Sequence, residues 1–505
     1  MINAAGGPDL GRLARGGALN LMAAGGSAVA NVGLVLLVTR SFPAAEAGVF
    51  FAATTVFLLG ARIAELGTTT GLVFFVSRFR ALGQEHRVRE CLRTAITPVV
   101  AASVVAGAVL FAFADRWAAV AVRGEPGGFA TYLRVLAVFL PVAAVSDTLL
   151  AATRGYGAMR PTALLERAGR PAGQLLLTIA AVAVGSGTAL TVAWVLPYAV
   201  TAVLAWTWLR ALRSRRTPGP AAEVAEPLGF WRFTAPRALA SVAQLALQRL
   251  DIVLVAALRG PADAAVYAAA TRFLVVGQVI GQAITQAVQP QLAGLLAVGD
   301  RPGANRLYQT ATAWLVLTTW PFYLVFTLLA PAVLAVFGPG YAAGAVVVGV
   351  LAGAMLVATA CGMVDTVLTM AGRTTWNLGN AVAALTVNVA VDLLLIPRLG
   401  ILGAAVGWAA AIAVNNLVPL AQVRWSLGLH PLGRGTRVAV GVCGGCLGVL
   451  PWVVTRIAGD GPGPLAGSLA AGAVLAALAC LRYRDALDLA ALRHLRRRHG
   501  REVPA

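Results

Sequence analysis

Ala45-Glu-Ala-Gly-Val-Phe-Phe-Ala-Ala-Thr-Thr-Val-Phe-Leu-Leu-Gly60 opens an apolar run that continues to Ser77. That is longer than the roughly 20 residues needed to cross a bilayer core about 30 Å thick. The run is solidly apolar and does not alternate, so it reads as helix and not as a barrel strand. The pattern returns at Ala262-Asp-Ala-Ala-Val-Tyr-Ala-Ala-Ala-Thr-Arg-Phe-Leu-Val-Val-Gly277, identical at seven of sixteen positions with an offset of 217. An acid precedes each copy (Glu46, Asp263), and the loops Ala81-Leu-Gly83 and Ala297-Val-Gly299 align behind them. An even number of spans separates the copies, which therefore share an orientation: a parallel repeat about an axis along the membrane normal.

The rest of the 505 residues fits this reading. Hydrophobic residues make up 59% and charged residues 12%, with a mean hydropathy of +0.80, far too little charge for a soluble domain of this length. Runs of spanning length fall at about 17–39, 46–77, 92–114, 128–153, 161–184, 188–210, 229–257, 263–289, 306–332, 341–371, 376–396, 400–423, 435–456 and 463–481. The expected fold is an all-α polytopic membrane protein of about 14 transmembrane helices. Residues 1–216 form an N-terminal six-helix lobe, and the polar, proline-bearing stretch within 217–228 is a cytoplasmic linker. Residues 229–426 form the second lobe, 427–481 two extra helices, and 482–505 a basic cytoplasmic tail. Asp485-Ala-Leu-Asp488 and the arginines after it read as an amphipathic helix on the inner leaflet. The first run is too long for the apolar core of a signal peptide and is expected to stay as a helix. Pro141, Pro236, Pro321, Gly67, Gly277 and Gly281 interrupt runs and are hinge candidates, whereas Pro290 ends its run.

The net charge is +20, and every basic residue is arginine. About 28 arginines fall in alternate gaps and both terminal segments, against about 6 in the other gaps. This bias places both termini in the cytoplasm and the protein in the cytoplasmic (inner) membrane. The arginines are dispersed over short loops, so nucleic acid is not an expected partner. Without lysine there is no GxxxxGK[ST] phosphate loop, and any transport draws on an ion gradient or the substrate's own gradient. Cys443 and Cys446 lie in a glycine-rich apolar run and read as helix packing. His86, His430, His494 and His499 lie in polar loops or the tail. No metal site or cofactor is expected.

Ionisable residues inside a span cost roughly 2.5–3.5 kcal/mol or more, and they face a cavity or a partner. Arg62 and Glu65 share a helical face three residues apart; they either neutralise each other or line a cavity, with the arginine available to a substrate phosphate. Arg249 and Asp251, two apart, point to different sides, and each needs a partner from elsewhere. Arg272 either snorkels to headgroups or belongs to the site. These five are the substrate-binding candidates. Asp147, Asp365 and Asp392 have no partner within their own helices and are the ion-coupling candidates, or else helix–helix hydrogen-bonding groups.

Arg249-Leu-Asp251-Ile-Val-Leu-Val, Ala265-Val-Tyr267-Ala-Ala-Ala, Gln289-Pro290 and Gly299-Asp300 resemble the start of the second lobe of bacterial polysaccharide transporters. Leu368-Thr-Met-Ala-Gly372-Arg373, Asn388 and Leu395-Ile-Pro397-Arg-Leu-Gly400-Ile-Leu-Gly403-Ala-Ala405 resemble their runs 10 to 12, and Leu66-Gly67 fits their first lobe. These are the Wzx-like flippases of the multidrug/oligosaccharidyl-lipid/polysaccharide flippase superfamily. The resemblance, over residues 10–425, implies two six-helix lobes around a central cavity. It implies alternating access moving a polyprenyl-pyrophosphate-linked oligosaccharide to the outer leaflet, with cavity arginines on the phosphates. Membrane lipids and glycan-assembly proteins are the other implied partners. Run 1, Ala18–Thr39, has no charge and only Asn20 and Asn31, unlike the arginine-rich first helix of lipid II flippases. An ion-coupled drug or small-molecule antiporter of the same fold, or a lipid II flippase, is the alternative. An enzyme is not expected: the longest external stretch, Asp115–Gly128, carries no paired carboxylates.

Overall fold

A helix satisfies its backbone hydrogen bonds internally, which a bilayer demands of any spanning segment. The computed structural model describes residues 10–81, 84–123, 128–214, 227–459 and 461–487, and among them there is no strand. Eleven helices among the described residues are long and apolar enough to cross a membrane. The protein is an all-α polytopic membrane protein. The linker expected at 217–228 falls outside the described residues up to 226, as does the tail from 488 onward.

The helices are α1 (Leu10–Ser41), α2 (Ala44–Ala64), α3 (Thr68–Ala81), α4 (Glu85–Ala112), α5 (Ala114–Ala121) and α6 (Phe129–Gly155). A π-helical stretch, Thr162–Gly169, leads into α7 (Arg170–Val184), followed by α8 (Gly187–Ser214), α9 (Pro227–Leu258), α10 (Pro261–Ala297) and α11 (Arg301–Ala335). Then come α12 (Ala345–Ala360), α13 (Val364–Met370), α14 (Thr374–Leu399), α15 (Ile401–Leu427) and α16 (Arg434–Cys443). A second π-helical stretch, Gly444–Val449, leads to α17 (Leu450–Ala458) and α18 (Pro462–Arg482).

The second run is not one helix. Leu66 and Gly67 both take left-handed backbone, φ 51° and 71°, which stops α2 and restarts the chain as α3. Glycine is required at 67, since a Cβ there would lie 2.7 Å from the Ala238 backbone nitrogen of α9. Thr68 Oγ1 donates to the Glu65 carbonyl at 2.8 Å and so satisfies a helix-end acceptor at the break.

Two compact units result. One runs to Arg272 and takes in Ala335–Tyr341 and Val389–Ala404; the other is Phe273–Leu334, Ala342–Asn388 and the chain from Ala405. Their boundaries fall inside α10, α11, α14 and α15.

In the first unit α6 is central, with Leu133, Leu136, Leu140 and Leu150 fully buried against its neighbours. Lipid is as apolar as leucine, so these helices associate through close packing and not through water exclusion. Edge-to-face rings carry part of it: Phe57 stands 5.8 Å from Trp194 and 5.7 Å from Tyr198. On the same unit Phe74 stacks on Phe233 at 4.4 Å, joining α3 to α9. The second unit is built on α11, whose Tyr308, Ala311 and Leu315 pack with Val367, Leu368 and Val423. Asn380 and Gln422 exchange amide hydrogen bonds at 2.8 and 3.0 Å between α14 and α15. Trp314 Nε1 donates to the Leu487 carbonyl at 3.0 Å, pinning the segment after α18 to α11.

Candidate functional site

Eight polar side chains from six helices line up inside the first unit. On α2, Arg62 Nη1 reaches Glu65 Oε2 at 2.8 Å; Glu65 is buried, while the Arg62 side chain keeps 35% of its surface open. Glu65 lies in electrostatic range of Asp147 and Arg170. Asp147, on α6, takes a 2.6 Å contact from Arg170 Nη2. The same nitrogen donates to Ser146 Oγ at 3.1 Å, and the guanidinium lies 4.1 Å from the centre of the Tyr198 ring on α8. Tyr198 in turn feels the charge of Arg249 on α9, and Arg249 that of Arg272 on α10.

The π-helical stretch explains Arg170. A π-turn inserts an extra residue and shifts the side chains that follow around the helix, and Arg170 is the first residue after it. It is buried in the bundle, although by sequence it counts among the loop arginines. Its position within the fifth apolar run was the available signal. Tyr198, preceded by Pro197 in an otherwise aliphatic stretch, gave a weaker one.

The charges do not cancel. Arg62 is matched by Glu65 and Arg170 by Asp147. Among the described residues Arg249 and Arg272 have no ion pair; Arg272 Nε donates to its own helix at the Ala268 carbonyl, 3.0 Å away. Two like charges at half-buried positions repel strongly where water is scarce. An anion between them removes that repulsion.

A second cluster sits beside the first. Asp251 and Arg249 diverge, as their spacing predicts. Asp251 is buried, accepts a 2.7 Å hydrogen bond from the Tyr267 hydroxyl of α10, and hydrogen-bonds Asp392 of α14. Asp251 and Asp392 are each seven residues from the end of their helix and Tyr267 six from the start of its own, roughly 10 Å from the arginine-poor ends. Two carboxyl groups hydrogen-bond to each other only when one of them carries a proton, so this contact shares one proton between Asp251 and Asp392. Asp365, in the second unit, stands apart in the first turn of α13, exposed, and its carbonyl accepts from Asn377 Nδ2 at 2.9 Å.

Residues 42–343 match the family described as polysaccharide biosynthesis protein. The chain belongs to that family. The match bears out the resemblance drawn from the Arg249–Ala405 motifs. No curated protein sequence matches the chain. Among solved structures, lipid II flippase MurJ in its inward closed conformation superposes with a TM-score of 0.70 at 12% identity, over 92% of this chain and 99% of that one. An inward-facing multidrug resistance MATE family transporter of the MOP superfamily gives 0.64 at 16% identity, over 80% and 94%. A MOP superfamily transporter from Pyrococcus furiosus gives 0.58 at 17%, over 82% and 95%. At these identities the likeness is one of fold, and that fold is the transporters'.

Proposed function

We propose that this member of the polysaccharide biosynthesis family is a flippase that carries a polyprenyl-pyrophosphate-linked oligosaccharide across the cytoplasmic membrane by alternating access. The observation that supports it best is that Arg249 and Arg272 have no ion pair among the described residues, inside a membrane bundle where Arg62 and Arg170 are matched by carboxylates. A pyrophosphate is the lipid-borne anion that suits two guanidinium groups, each able to present a planar pair of donors. Arg62 is the reserve contact: its carboxylate partner is buried, but its own side chain is partly open. The roles of Arg62, Glu65, Arg249, Asp251 and Arg272 in binding, the two-lobe division at 217–228, and the placement of both termini in the cytoplasm all belong to this proposal.

Coupling is assigned to Asp392 with Asp251. Asp147 is already neutralised by Arg170, which makes it a structural charge, and Asp365 is exposed. Entry of a proton or a monovalent cation between Asp251 and Asp392 would change the charge two residues from Arg249, linking the ion to the anionic cargo. The family match to polysaccharide biosynthesis and the fold likeness to the lipid II flippase MurJ support a lipid-linked saccharide as the cargo class.

The decisive test is deletion of the gene followed by extraction of lipid-linked glycans. Intermediates should accumulate, and wild-type protein but not Arg249→Ala should clear them. Unchanged lipid pools and surface glycan after deletion would remove the basis for a flippase.

A further inference from the structure

Glutamine recurs on one side of α10. Gln278, Gln282, Gln286 and Gln289 occupy register positions within about 80° of each other and run roughly 16 Å along the helix axis. All four belong to the second unit and to the eighth apolar run, 263–289, where a bilayer tolerates few polar groups. Packing on α11 fixes the rotation of this helix. Gly277 lies so close to Tyr323 of α11 that a Cβ would come within 2.3 Å of the hydroxyl, and Gly281 faces Leu315. Val288 is buried in the cluster that holds Tyr308 and Leu315. Gln278, Gln282 and Gln289 each follow one of these three positions by a single residue, about 100° around the helix. That turns them off the α11 packing face: Gln282 is exposed, and Gln278 and Gln289 are half-buried.

Among the described residues, none of these three amides makes a side-chain hydrogen bond. Amides elsewhere in the bundle are engaged by the protein itself. Gln174 Nε2 donates to the Trp194 carbonyl at 3.0 Å, and Asn380 pairs with Gln422. Thr285, in the same stretch of α10, donates to the Gly281 carbonyl at 3.0 Å. An amide turned to hydrocarbon would find no partner, and burying one unpaired is unfavourable. The outward positions of the second unit instead carry Val346, Val474 and Leu478, each more than half exposed. The glutamine face therefore meets polar contents and not lipid.

The chemistry of the stripe selects those contents. Between Arg272 and Asp300 the chain carries no charged residue, so the stripe offers neither a counter-ion to a phosphate nor a carboxylate to a cation. A primary amide presents two N–H donors and a carbonyl acceptor. That set pairs with neighbouring hydroxyl groups, each of which both donates and accepts. Amides repeated over roughly 16 Å match a row of hydroxyls longer than a single sugar ring supplies. We infer that the glutamine face of α10 reads the saccharide head of the cargo, through hydrogen bonds between Gln278, Gln282 and Gln289 and sugar hydroxyls. The inference deepens the flippase reading and rests on it. The arginines hold the pyrophosphate, which every cargo of this class shares, and the amides distinguish one glycan from another. A glycan that leaves an amide unpaired is bound less well, which is how a neutral polar site discriminates.

The test uses the full chain in nanodiscs and two probes: lipid-linked glycan extracted from the deletion strain, and the bare polyprenyl pyrophosphate of the same chain length. The double variant Gln278→Leu, Gln282→Leu keeps the side-chain size and removes the amides. It should weaken the glycan-bearing lipid roughly tenfold or more and leave the bare pyrophosphate within about twofold. Gln289→Leu should act in the same sense. A second measurement does not depend on those variants: Gln282→Cys should react with a water-soluble maleimide, and the glycan-bearing lipid should protect it where the bare pyrophosphate does not. Equal weakening of both lipids, no weakening of either, or a Gln282→Cys thiol that reacts only with an apolar maleimide each overturns the saccharide assignment and leaves the flippase reading intact. Failure of both lipids to bind the wild-type protein, with normal glycan export in the deletion strain, overturns both.

Discussion

Arg170 closes on Asp147 at 2.6 Å, and that contact decides which cations remain for a ligand. It removes from the site the arginine nearest Tyr198 and leaves Arg249 and Arg272 without a carboxylate among the described residues. A bundle with all its arginines paired would have no more use for an anion than a soluble core does. The difference between matched and unmatched arginines gives an order of importance that can be measured.

Arg249→Ala is expected to weaken binding of a polyprenyl pyrophosphate roughly 10- to 100-fold, the effect of losing one hydrogen bond to a charged group at about 1.5–3 kcal/mol. Arg249→Lys should fall between, because an ammonium keeps the charge and loses the planar fork. Arg62→Ala should cost less than Arg249→Ala, since Glu65 already engages Arg62. Titration of purified protein with a fluorescent analogue gives the ranking; the reverse order would assign the anion to α2.

Asp251→Asn and Asp392→Asn should each uncouple the carrier. Binding of the pyrophosphate is expected within a few-fold of wild type, while uptake into proteoliposomes should lose its response to an imposed proton or sodium gradient. Running the two gradients separately identifies the ion. A response retained by both variants excludes the pair as the coupling site.

Removing one member of the Asp147–Arg170 pair leaves a charge buried without its partner, a loss of about 3 kcal/mol or more. Asp147→Asn and Arg170→Met should each lower the melting temperature in detergent. The double variant should recover part of the loss, because it leaves neither charge stranded. Additive losses would show that the two residues act independently, contrary to their geometry.

Gly67→Ala should destabilise by about 1–3 kcal/mol, since it strains a left-handed backbone and drives a methyl group into the Ala238 backbone of α9. Gly229→Ala, with open space around it, is the control and should be near neutral. Comparing the two melting curves separates the close approach from a general glycine effect.

The helices were legible in the chain because a bilayer imposes a length and an apolarity that leave few alternatives. All fourteen apolar runs lie on helical segments, and the motifs from Arg249 to Ala405 carried the family. The divergence of Arg249 from Asp251 was also readable, since two residues are about 200° apart on a helix. Sequence could not show the break at Leu66. One glycine inside an apolar run fits either a continuous or a broken helix, and the choice was made by α9 packing against Gly67. Nor could it show that Asp147 belongs to Arg170, or that Asp251 belongs to Asp392. Those partners lie on separate helices, and pairing between helices depends on rotation and register, which local periodicity leaves free. Sequence therefore set how many charges had to be hidden from lipid, and the tertiary fold decided which were hidden in pairs and which were left for a ligand.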